Sequence, residues 1–171
     1  MSGTPKWVQD AVFYQIFPDR FANGDPANDP FNVKPWDALP TIKGFHGGDL
    51  QGVIQNLDYL VDLGINAIYF NPIFQAASTH RYDTYDYLKI DPKLGTMKDF
   101  SAMVEALHAR GIRIVIDGVF NHCGRGFFAF NDILENGTDS PYINWFHVKQ
   151  VPLDAYSEGE AEHYLGWWGY K

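Results

Sequence analysis

The chain has a single cysteine, Cys123, among 171 residues, so no internal disulfide can form. That favours a reducing compartment, although many secreted proteins lack disulfides too, and the expected location is the cytoplasm. No apolar run approaches the ~20 residues needed to cross a bilayer, and the N-terminal Met-Ser-Gly-Thr-Pro-Lys-Trp carries no apolar signal core. Basic residues are scarce: 13 Lys and Arg stand against 21 Asp and Glu, a net charge of −8. No basic patch exists to track phosphates, which argues against nucleic acid as a partner. The same charge suits anionic lipid poorly and leaves a neutral ligand or a cation as the better match. Repeats and low-complexity tracts are also missing.

What is present is globular. Hydrophobic residues make up 46% and charged residues 20%, enough apolar material for one domain with a core. Three β-branched or aromatic runs read as strands, at residues 11–17, 65–70 and 112–117. Two amphipathic stretches read as helices. One, at 50–63, puts Leu50, Val53, Ile54, Leu57, Leu60 and Val61 on one stripe and stops at Gly64. The other, at 97–110, has Thr96 and Asp99 placed as a capping box and Gly111 as its stop. Strands alternating with helices, joined by right-handed crossovers, give a parallel α/β sheet. The segments 18–49, 71–96 and 118–171 show no regular pattern. All three follow strands, where α/β folds keep their chemistry.

Each long segment supports two readings. Asn23-Gly-Asp-Pro-Ala-Asn-Asp29 packs oxygen-bearing side chains as calcium requires, and Gly47-Gly-Asp49 could return to the same ion; equally, such residues favour plain turns. His80-Arg-Tyr-Asp-Thr-Tyr-Asp-Tyr87 offers flat rings with hydroxyls that suit a sugar, or a packed loop. Ile112-Arg-Ile-Val-Ile-Asp-Gly-Val-Phe-Asn-His122 delivers a carboxylate and an imidazole to the end of a strand. Asp117 could orient or bind a ligand, or merely cap amides; His122 could donate to a hydroxyl or be a satisfied structural histidine. Cys123 adjoins His122, but sequence neighbours rarely make a working nucleophile pair. The aromatic group Trp145, Phe146, Tyr164, Trp167, Trp168 and Tyr170 is a sugar-stacking platform or a core and interface surface.

Taken in order, these motifs resemble the α-amylase superfamily of glycoside hydrolases. Ala11-Val-Phe-Tyr-Gln-Ile-Phe-Pro-Asp-Arg-Phe21 is similar to that family's first barrel strand. Gly48-Asp-Leu-Gln-Gly52 through Leu63-Gly-Ile-Asn-Ala-Ile-Tyr-Phe-Asn-Pro72 is similar to its first helix and second strand, and Asp117-Gly-Val-Phe-Asn-His122 to its first signature region. The loops at 21–30 and 80–87 look most like the neopullulanase and cyclomaltodextrinase branch. The resemblance implies the N-terminal portion of a (β/α)₈ TIM barrel, about three strands within 1–122, and the start of a small inserted domain over 123–171. It implies a calcium site at Asn23, Asp25, Asn28, Asp29, Gly47 and Asp49, with Ca²⁺ as cofactor. It implies that Tyr82 stacks on the sugar being cleaved, that His80 and His122 hydrogen-bond that sugar, and that Asp117 supports the centre. Asn121 matches a second calcium position that this branch often lacks.

The implied substrates are α-glucans, maltooligosaccharides or cyclodextrins, attacked by retaining hydrolysis or transglycosylation. Such chemistry needs two carboxylates ~5–5.5 Å apart. The family's nucleophile and acid/base follow its fourth and fifth strands, and those signatures are not within the 171 residues. The expectation is therefore a fragment inactive alone, with no catalytic nucleophile or acid/base of its own. A non-catalytic amylase-like binding or scaffold protein is the alternative.

Overall fold

A computed structural model describes residues 3–167. In chain order it contains α1 (Lys6–Gln9), β1 (Phe13–Ile16), α2 (Leu50–Gln55), α3 (Leu57–Asp62), β2 (Ala67–Phe70), β3 (Phe74–Ala76), β4 (Thr84–Ile90), α4 (Met97–Ala109), β5 (Arg113–Ile116) and α5 (Phe128–Asn136), with short 3₁₀ turns between. The three expected strands form one parallel sheet in the order β1-β2-β5. Ile68 lies opposite Tyr14 on one side and Ile114 on the other. β2 is central, which is why its run is almost wholly apolar. Leu50 and Val53 of α2, Leu60 of α3, and Met103 and Leu107 of α4 share one core with Ile16, Ile68 and Phe70. Each such buried side chain contributes about 1.5–3 kcal/mol.

The helix ends follow their sequence signals. Thr96 and Asp99 form the reciprocal capping box of α4, and Gly64 and Gly111 take φ values of 77° and 73° past their helices, a conformation that costs other residues. The helix expected over 50–63 is a correction: it is two helices that meet at Asn56 (φ −108°, ψ 22°). The Asn56 amide donates back to the Gly52 carbonyl at 2.8 Å, the local competition that makes asparagine a poor helix residue.

Two further corrections concern the supposedly irregular segments. Residues 71–96 hold the antiparallel hairpin β3–β4. Its register shifts twice within three residues, so the period-2 pattern never develops. Residues 118–171 hold α5, whose N-cap is Phe127 with no side-chain cap bond, so the usual start signal is missing. Phe130 of α5 seats a second small core with Ala155, Ala161 and Tyr164. Among the described residues, no helix is long and apolar enough to cross a membrane.

Candidate functional site

The C-terminal ends of the three parallel strands converge on Asp117, whose backbone N–H continues the ladder to the Phe70 carbonyl at 3.0 Å. Its Oδ2 accepts the Tyr82 hydroxyl at 2.7 Å, and the same carboxylate raises the pKa of the neighbouring Tyr69 phenol. Tyr69 lies on β2 and Tyr82 on the loop between β3 and β4, so the second and third strands both feed this point. Asn71 donates to the Tyr82 oxygen at 3.4 Å, and its own oxygen accepts from Gln15 of β1 at 2.8 Å. Burial, then the bond to Asp117, pushes the Tyr82 phenol up to about 12. It is a neutral donor at any physiological pH.

The two histidines are ordered by the backbone of Tyr82. His122 Nε2 donates to the Tyr82 carbonyl at 2.9 Å, while Asn121 donates to its Nδ1 at 3.4 Å. His80 Nδ1 accepts the Tyr82 N–H at 3.1 Å, which places the ring proton on Nε2. His80 and Tyr82 stack at 5.9 Å. The four residues singled out from the sequence, His80, Tyr82, Asp117 and His122, thus come together. His122, expected to address a ligand, spends its N–H on Tyr82 instead.

Three of the network's members, Gln15, Tyr69 and Asn71, were not singled out in the sequence. Their signal was available: each is polar or amphipathic and lies at or next to the C-terminal end of a strand of a parallel sheet, where ligands bind.

His80, Tyr82 and His122 open onto a cleft of about 1480 Å³ that Trp145, Phe146, Tyr164 and Trp167 also line. Trp167 stacks on His122 at 5.1 Å, and Trp145 is exposed. Phe146 and Tyr164 line the cleft and also pack with Phe130. The aromatic group is therefore part core and part cleft wall; Trp168 and Tyr170 lie outside the described residues. Cys123 also lines the cleft, but burial pushes its thiol up to about 11. A thiol raised in this way carries little thiolate near neutrality, which disfavours it as a nucleophile.

The acidic loop forms a separate centre. Asp49 caps α2 by accepting Gly52 N–H at 2.6 Å. It also accepts Gly24 N–H, Asp25 N–H and the Asn28 amide at 3.1, 2.8 and 3.0 Å. Asn23 donates to both oxygens of Asp29, and Asp25 turns back to Ala27 N–H. Gly47 (φ 81°) faces them so closely that a Cβ there would meet Asp29 Oδ1 at 2.3 Å. It is held in place by buried Asp19, which accepts the N–H groups of His46 and Gly47; burial raises the Asp19 pKa. The Oδ1 atoms of Asn23 and Asn28 are buried without a hydrogen-bond partner, a costly state that a cation would relieve. Among the described residues, no group of three or more His, Cys, Asp or Glu is placed to hold a metal. Any ion here would rest on amide, carbonyl and single carboxylate oxygens, the set calcium takes.

Comparison with known proteins gives a consistent picture. The family model described as the alpha amylase catalytic domain matches residues 15–164. A cyclomaltodextrinase of Thermoanaerobacter pseudethanolicus is 51% identical over 158 residues, 92% of this chain and 28% of that protein. Neopullulanase 2 of Thermoactinomyces vulgaris is 51% identical over 93% of this chain and 28% of its own length. The solved cyclic alpha-maltosyl-(1→6)-maltose hydrolase of Arthrobacter globiformis, in complex with that cyclic sugar, superposes with a TM-score of 0.92 at 53% identity, over 97% of this chain and 37% of its own. The chain thus spans little more than a quarter of the curated relatives it matches.

Proposed function

The chain belongs to the alpha-amylase catalytic-domain family, and from that premise we propose that it is the sugar-holding front part of an enzyme that hydrolyses or transfers α-glucosidic bonds with retention. Its three-stranded parallel sheet is the N-terminal part of that family's (β/α)₈ barrel. The observation that carries the functional reading is the Tyr82–Asp117 contact of 2.7 Å at the sheet's C-terminal edge, which fixes Tyr82 where it lines the cleft. Tyr82 offers a ring face to a sugar and Asp117 fixes that ring by its hydroxyl. His80 keeps Nε2–H as a donor for a sugar oxygen. Asp117, its Oδ2 engaged by the Tyr82 hydroxyl, supports rather than attacks. His122 acts on the sugar by holding the Tyr82 backbone. The nucleophile and the acid/base are supplied from outside these 171 residues. The ligand is a maltooligosaccharide or a cyclodextrin, and the net charge of −8 sets nucleic acid aside.

The same reading divides the chain into barrel (1–122) and inserted unit (123–171), supported by the separate core around Phe130. It assigns calcium to the loop set Asn23, Asp25, Asn28, Asp29, Gly47 and Asp49, supported by the two orphaned amide oxygens; the three aspartates are not gathered to hold an ion by themselves, so the amide and backbone oxygens would share in holding it. Bound calcium would tie the 23–29 loop to the start of α2. A lone thiol fits the cytoplasm. The test is a fluorescence titration of the chain with β-cyclodextrin and maltoheptaose. Saturable binding that Tyr82→Ala weakens by about tenfold or more is expected, with no release of reducing sugar. Absence of binding in the unaltered chain overturns the sugar site, and hydrolysis overturns the placement of the catalytic carboxylates outside it.

A further inference from the structure

Between His80 and Tyr82 lies a residue that faces the other way. Arg81 is fully buried, 0% exposed, although it sits on a loop and carries a charge. Its φ is 60°, and it is the one non-glycine residue with positive φ among those described. A left-handed residue with a side chain costs roughly 1–2 kcal/mol, so something must hold it there. Nε donates to Asp91 Oδ2 at 2.7 Å and a terminal guanidinium nitrogen donates to the Thr79 carbonyl at 2.7 Å. The Arg81 N–H donates to Ser78 Oγ, and its carbonyl accepts from Thr84 Oγ1 at 3.0 Å. Asp91, also 0% exposed, is fixed at the end of β4 by its N–H to the Ile73 carbonyl.

A buried ion pair is a poor source of net stability, because desolvation of both charges offsets their attraction. This one is also incompletely satisfied: the second terminal nitrogen of Arg81 is buried with no partner. Its geometric effect is clear, however. Consecutive side chains alternate in and out across this turn, with Thr79 and Arg81 buried and His80 and Tyr82 on the cleft. The Tyr82 ring, its N–H and its carbonyl are the three handles grasped by Asp117, His80 and His122. The angle at which Tyr82 presents them is set one residue earlier.

We infer that Arg81 is a positioning residue: the buried Arg81–Asp91 pair pins a left-handed turn and thereby sets the Tyr82 ring and the His80 donor for the sugar. This rests on the sugar-site reading above for its functional half only. The test uses Arg81→Gly with Asp91→Asn in one chain. Glycine takes the same φ without strain, and Asp91 is not left as a lone buried charge, while buried Asp19 loses only the more distant field of Arg81, so the turn is permitted but no longer pinned. The first readout is the side-chain ¹⁵N spectrum of His80 and His122 at neutral pH, taken where far-UV circular dichroism shows the variant folded. In the unaltered chain both rings should report a proton fixed on Nε2; in the variant both should move toward the averaged signals of a free histidine. The second readout is β-cyclodextrin affinity, expected to fall about tenfold, equivalent to about 1.4 kcal/mol. Unchanged ring signals with affinity within twofold overturn the inference. Should the double variant fail to fold, Asp91→Asn alone carries the test: a smaller shift of the same signals supports the pin, and no shift overturns it. If the unaltered chain binds no cyclodextrin, the sugar-site reading falls while the ring signals still decide whether Arg81 positions Tyr82.

Discussion

At the scale of single residues, the site works by hydrogen bonds whose donors are fixed. Tyr82→Phe keeps the ring and removes the contact to Asp117. It should weaken cyclodextrin binding several-fold, less than Tyr82→Ala does; calorimetric titration of the three chains would show the order, and equal losses would deny Asp117 any part in orienting the ring. Tyr82 and Tyr87 both titrate near 12 in the folded chain, raised from the ordinary 10.0 chiefly by burial. Folded values above the unfolded one mean that neutral phenols favour the fold. That stabilisation is whole below pH 10 and is lost as pH rises from 10 to about 12. Urea midpoints measured from pH 8 to pH 12 should therefore fall mainly above pH 10 for the unaltered chain. The drop should be smaller for Tyr87→Phe. The Cys123 thiol, pushed up to about 11 by burial, should resist iodoacetamide at pH 7.5 far longer than a free thiol and react promptly once urea unfolds the chain.

At the scale of elements, α2 is anchored through one carboxylate. Asp49 accepts four N–H donors, one at the helix start and three from the 24–28 loop. Asp49→Ala removes the cap, worth about 1 kcal/mol, and leaves buried donors unpaired at about 1–3 kcal/mol each. A loss of about 3 kcal/mol in urea unfolding is expected. Asp49→Asn, which keeps one acceptor oxygen, should lose less. The loop and helix also touch directly: a Cβ on Gly52 would lie 1.9 Å from the Ala22 carbonyl oxygen. Signals on the sequence predicted elements well where local chemistry and tertiary packing agree, as in α4 with its capping box. They failed where packing alone decides. β3 and β4 pair with two register shifts, and α5 starts without a side-chain cap. Both are held by what they pack against.

At the scale of the molecule, the two centres lie on the loops after the strands, on a sheet that is paired as β1-β2-β5. Calcium at a hundredfold its dissociation constant should stabilise the fold by about 2.7 kcal/mol if it binds only the folded chain. The melting temperature should rise accordingly with calcium and fall back with a chelator. Asn23→Ala with Asn28→Ala should abolish the rise. Magnesium, smaller and reluctant to shed water, should substitute poorly. A melt indifferent to calcium would remove the ion from the loop.

What the sequence determined by itself was the periodic and the contiguous. Three apolar runs made the parallel strands, two stripes made the helical layer, and short strings such as Asp117 to His122 marked a strand end carrying chemistry. Those features are local, and their physics is complete within a dozen residues. Tertiary structure alone decided which atoms meet. Gln15 and Asn71 join Tyr82 and Asp117 because three strands in parallel register bring their ends to one edge. His122 turns its N–H to a backbone 40 residues away. Arg81 is buried because Asp91 waits ten residues on, at the far end of β4. Hydrogen bonds of this kind depend on distance and angle between groups far apart in the chain, and no pattern along a single strand encodes them.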